Sequence, residues 1–119
     1  MAVSLDSVIR IYSGTRLPDG TTFVSVNGRP LDARPDLRND SATTFDWGYD
    51  GHGAPAQLAL AVLAHHFGDD SRARRSYESF LQGVIRRLPR ERWVLTGAEI
   101  DRMFSDGADT QEAVRTTAA

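Results

Sequence analysis

A stretch rich in glycine and aromatics, Phe45-Asp46-Trp47-Gly48-Tyr49-Asp50-Gly51-His52-Gly53, leads straight into Ala54-Pro55-Ala56-Gln57-Leu58. Pro55 suits the first turn of a helix, where its missing N–H costs nothing. A helix start offers free N–H groups and the positive end of a dipole, which together suit an anion. Aromatic rings beside it can stack on a base or a sugar. Trp47, Gly48, Tyr49, Gly51, His52, Gly53 and Gln57 are therefore candidate ligand-binding residues, for a nucleotide or another small anion. No Gly-Lys-Ser/Thr follows, so the stretch is not a phosphate loop. No strand leads into it within a βαβ unit, so it is not the dinucleotide fingerprint either. The structural reading of the same residues is that the glycines turn the chain tightly while Trp47 and Tyr49 cap the core.

A second cluster is basic. Residues 72–92 hold seven arginines against Glu78 and Glu91, a net of +5. Arg72, Arg75 and Arg86 fall opposite the apolar stripe of a helix. With Arg90 they are the candidate partner-binding residues, and Arg74, Arg87 and Arg92 surround them. Guanidinium pairs bidentately with carboxylates and phosphates. The alternative is a solvated helix face, partly paired with Asp69, Asp70 and Glu78.

His52, His65 and His66, with Asp46 or Asp50, raise the question of a metal. Adjacent His65 and His66 point about 100° apart on a helix, and no H-x-x-x-H or H-E-x-x-H spacing occurs. In the last turn of a helix an imidazole suits the dipole and the free carbonyls. No metal and no other cofactor is expected. Hydrolysis by loop carboxylates would fall to Asp46 and Asp50, but any acidic loop offers as much. The nucleophile turn G-x-S-x-G is absent. No catalytic constellation is assembled, so the chain is expected to be non-enzymatic.

The elements that must position these residues follow from composition and periodicity. A chain of 119 residues predicts one domain, here 1–107, with 108–119 as a disordered tail. It has no cysteine, which excludes a disulfide scaffold, a thiolate metal site and a Cys nucleophile. All 14 basic residues are arginine, which excludes a Schiff-base lysine. A net charge of −2 does not favour nucleic acid as the partner. The longest nearly apolar run, Leu58 to Phe67, is too short to span a bilayer, and a cytoplasmic protein is expected.

Residues 8–31 read as a β-meander of Val8–Tyr12, Thr22–Val26 and Arg29–Leu31, turning at Pro18-Asp19-Gly20 and Asn27-Gly28. Pro30 assigns the third strand to an edge. Residues 32–51 carry five Asp against two Arg, a net of −3, and little periodicity. A first helix, apolar on every side, is expected from Ala54 or Pro55 to Phe67, with Gly68 past its end. A second starts at Asp69, Asp70 or Ser71 and runs to Pro89, with Tyr77, Phe80, Leu81, Val84, Ile85 and Leu88 as its apolar stripe. Trp93–Leu95 is a possible fourth strand. Thr96-Gly97-Ala98-Glu99 is a capping box opening a short helix. The fold is expected to be α+β: a small antiparallel sheet packed on an antiparallel helix pair, the first helix lying between sheet and second helix. An unpaired strand edge would allow a dimer.

Trp47-Gly48-Tyr49, Gly51, Gly53, Pro55-Ala56-Gln57-Leu58 and Gly68-Asp69-Asp70 together resemble a family known only as a domain of unknown function, from bacteria, archaea and their phages. Tyr12-x-Gly14, Asn27-Gly28-x-Pro30-Leu31, Arg87-Leu88-Pro89 and Trp93-x-Leu95-Thr96 also match, so the likeness covers most of residues 8–104. Ala54 intervenes where the family has Gly-Pro adjacent, and Asp50 and His52 stand in place of small residues. The resemblance implies a fold and no activity. The functional expectation is a small binding module, of phage or mobile-element type, that engages a protein partner through the Arg-rich helix, the acidic segment or the strand edge near Pro30, inhibition of a host or defence complex being one concrete version. The alternative is a binder of nucleotides or other anions at the glycine-rich stretch.

Overall fold

Two turns organise the sheet. Leu17 and Gly20 close the first, with N–H of Gly20 donating to Leu17 at 2.8 Å and Gly20 at φ +93°. Asn27 and Gly28 make the second, both at positive φ, as the tightest hairpins require. The computed structural model describes residues 10–37, 45–49 and 53–105. Strands β1 (Ile11–Arg16), β2 (Thr22–Val26), β3 (Arg29–Pro30) and β4 (Arg92–Thr96) form one antiparallel sheet in the order β3-β2-β1-β4. Pro30 does lie on an edge. The N–H of Leu31 bonds back to Val24, so the donor that Pro30 lacks would have pointed away from β2.

β1 lies later than the Val8–Tyr12 run, of which Val8 and Ile9 fall outside the described residues. Its position is set by register with both neighbours, through Gly14 opposite Val24 and Trp93. The Trp93 indole lies across Gly14, and a Cβ there would overlap the ring. Glycine is needed at that crossing for close approach.

Helix α1 (Ala54–Phe67) is followed by α2 (Asp70–Gly83), a single 3-10 turn (Ile85–Arg87), and, after β4, α3 (Gly97–Ser105). α1 is buried from Pro55 to Ala64, as its apolar sequence requires. It touches β1 through His65, the 33–34 segment through Gln57, and α3 through His66, and it packs along α2. Gly68 ends it at φ +66°, and Asp69 caps α2 by accepting the Arg72 N–H at 3.1 Å. The Thr96–Glu99 capping box is formed reciprocally, at 2.9 and 3.1 Å.

The second helix stops earlier than its stripe suggests. Gly83 is a poor helix residue, and Val84 leaves helical geometry at φ −127°. Pro89 has no N–H with which to satisfy the Ile85 carbonyl in a continued helix. The break turns that carbonyl to another donor, the N–H of Gly48, at 3.0 Å. Among the described residues no helix is long and apolar enough to cross a membrane. The expected tail, 108–119, lies outside the described residues.

Candidate functional site

The Trp47 region is bound tightly into the fold. Trp47 is fully buried and meets Trp93 edge-on, ring centroids 5.6 Å apart. Its indole N–H donates to the Arg90 carbonyl at 3.0 Å. Arg16 donates to the same carbonyl at 2.9 Å, pairs with Asp46 at 2.6 Å and lies over the Trp47 ring at 5.0 Å. Asp46 also accepts the Trp47 N–H at 2.8 Å, so the carboxylate considered for hydrolysis is held in a structural role. Gly48 sits at φ +83°, and a Cβ on it would press into Leu88 and Arg90. Arg90 lies 5.8 Å from the half-exposed Tyr49 ring and reaches the Trp47 carbonyl at 3.4 Å. Gly53 precedes α1 without a side-chain cap. Gly51, His52 and Asp50 lie outside the described residues.

Gln57 is wholly buried. Its amide nitrogen donates to the carbonyls of Ala33 and Arg34, at 2.6 and 2.8 Å, while its Oε1 has no partner among the described residues. It holds the 33–34 segment against α1.

The candidate arginines of the helix separate. Arg86 falls past the break in α2 and is half-buried. Arg90 belongs to the Trp47 region. Arg72, Arg74 and Arg75 are exposed on the first two turns of α2. Arg72 lies over Phe67, its guanidinium carbon 3.9 Å from the ring centroid. Arg75 makes no hydrogen bond or ion pair among the described residues. The nearby carboxylates are engaged elsewhere. Asp69 caps the helix, and Asp70 takes Arg34 in a bidentate pair at 2.8 and 3.2 Å. Asp36 takes the other side of Arg34 at 2.9 and 3.0 Å. Arg34 holds the Asp36 carboxyl below the usual carboxylate range, with Arg74 adding to it.

The two adjacent imidazoles diverge. His66 is buried. Arg10 can only donate and an ionised Asp101 only accept, so Nδ1 of His66 accepts from Arg10 (3.3 Å) and Nε2 donates to Asp101 (2.7 Å). The His66 carbonyl is capped by Arg10 at 3.2 Å. His65 instead meets the Tyr12 hydroxyl at 2.7 Å. Burial pushes the Tyr12 phenol up to about 12, and the direction of its bond to His65 follows the imidazole tautomer. Burial, then the charges of Arg10 and His66, lower the pKa of His65. Among the described residues no three His, Asp or Glu side chains gather as metal ligands would.

A cavity of about 200 Å³ opens beside His65, lined by Leu31, Asp32, Arg34 and Ala61. Sequence reasoning did not single it out. A signal existed: Gln57, Ala61 and His65 recur every four residues along an otherwise apolar helix, with a polar group at each end.

A family model described as a family of unknown function (DUF6166) matches residues 12–106. No curated protein matches the chain. No solved structure matches it.

Proposed function

The chain belongs to this family of unknown function, which assigns it no activity, and from its own surface we propose that it is a non-enzymatic binding module engaging an acidic protein partner through the arginines displayed on α2. One observation carries the reading. Arg72 and Arg75 share a helix face without an ion pair among the described residues, and the carboxylates at the start of that helix, Asp69 and Asp70, are engaged by the helix cap and by Arg34. The positive charge is therefore left for a partner. Stacking on Phe67 holds Arg72 in place before contact, which lowers the entropic cost of binding. In one concrete version, motivated by the small size and segregated charge of the chain, the partner is a cytoplasmic host or defence complex that the bound domain inhibits. An anion at the start of α1 draws less support, because Trp47 is fully buried and the Gln57 amide faces backbone carbonyls.

The test is affinity capture with the wild-type chain, followed by titration of the captured protein against charge reversals. Arg72→Glu with Arg75→Glu should weaken binding by about tenfold or more, with a steep salt dependence in the wild type. Reversal of the exposed Arg29 on β3 should leave binding unchanged. Equal affinity for all three chains would remove the proposal.

A further inference from the structure

We propose that the cavity between α1 and the 31–34 segment binds a small free amine that also carries a hydroxyl or carbonyl oxygen, held between the Asp32 carboxylate and the His65 imidazole. The cavity has room for roughly half a dozen waters at about 30 Å³ each, so its ligand is small. It lies below the ~300–1,000 Å³ typical of pockets for drug-sized molecules.

Its chemistry follows from the valences its walls have left. Nδ1 of His65 is occupied by the Tyr12 hydroxyl, and in the tautomer that accepts there Nε2–H is left as a donor. The lowered pKa of His65 keeps the ring neutral near pH 7, so it does not repel a cation. Asp32 uses Oδ1 to accept the Arg34 N–H at 3.0 Å, and its second oxygen remains as an acceptor. Arg34 brings no net positive charge, because Asp36 and Asp70 grip it from two sides. The site is therefore locally acidic, with one carboxylate acceptor and one neutral N–H donor. Buried Leu31 and Ala61 supply a short apolar wall between them. An ammonium meets Asp32, an oxygen meets His65, and a brief aliphatic body lies on the wall.

The wall is also held under strain. Arg34 sits at φ +53°, a left-handed conformation that is costly for a non-glycine residue. The buried Gln57 amide and the two-sided carboxylate grip keep it there. Such strain is retained where the surroundings over-determine it, and it places Asp32 at the rim.

NMR titration of the full chain tests the site, with glycinamide, propylamine and acetate as separate probes. Glycinamide should shift the amides of Leu31, Asp32 and Ala61 and the His65 Nε2 resonance saturably. Propylamine lacks the oxygen and should bind several-fold more weakly, and acetate should not bind. Asp32→Asn keeps the acceptor for the Arg34 N–H and removes the charge, and it should weaken glycinamide by about tenfold. Asp19→Asn, the same change of charge in the β1–β2 turn away from the cavity, should leave glycinamide unchanged. Absence of saturable shifts, tighter binding of acetate than of either amine, or full affinity in Asp32→Asn would overturn the proposal.

Discussion

The arginines around Trp47 and the arginines of α2 share a headgroup and differ in their neighbours. Arg16 is largely buried, paired with Asp46, bonded to a carbonyl and laid over an indole. Arg90 closes the same region from the other side. Arg75 stands in solvent without a partner among the described residues, and Arg72 touches only a ring face. In the first region guanidinium acts as an internal fastener between segments far apart in sequence. In the second, no ion pair among the described residues takes up the charge of Arg72 or Arg75. Basic composition alone therefore does not mark a surface. What marks it is whether the neighbouring carboxylates already have partners.

That contrast can be broken or sharpened by substitution. The largest effect is expected at Trp47→Ala, which empties a fully buried site and removes an indole hydrogen bond. It should cost about 3–5 kcal/mol in chemical denaturation. Next comes the buried phenol of Tyr12. Its pKa is raised from 10.0 to about 12 in the folded chain, so its stabilisation is full below pH 10 and lost as pH rises towards 12. The loss should amount to about 3 kcal/mol, and Tyr12→Phe should flatten that stretch of the stability profile. Arg16→Met keeps the aliphatic stem and leaves Asp46 half-buried without its partner. A cost of about 2 kcal/mol is expected, with no change in partner binding. Smallest is Arg72→Glu with Arg75→Glu, which should alter stability by no more than about 0.5 kcal/mol. A large stability loss there, or an insensitive Arg16, would erase the distinction between fastener and display.

Much of the frame is legible in the sequence because it is set locally. Asn27-Gly28, Gly68 and the Thr96–Glu99 box each carry their own stereochemistry, and each is found in place. The all-apolar first helix likewise identifies its own burial. The end of α2 is different. Its stripe continues through Val84, Ile85 and Leu88, so periodicity gives no stop before Pro89. The stop depends on Gly83 together with the Gly48 N–H that takes the Ile85 carbonyl from a distant segment. The division among the arginines is illegible for the same reason. Arg90 and Arg75 look alike until Trp47 is seen against the Arg90 carbonyl and Asp70 against Arg34. The cavity beside His65 depends on Asp32 meeting α1 across the fold, a proximity no local pattern encodes.

The most direct measurement of the central claim is the affinity of the captured partner for the wild-type chain and for the Arg72→Glu, Arg75→Glu double reversal at one salt concentration. Stability of both chains is recorded alongside. Binding weakened about tenfold or more at unchanged stability is the expected result. Undiminished affinity in the double reversal would contradict the account.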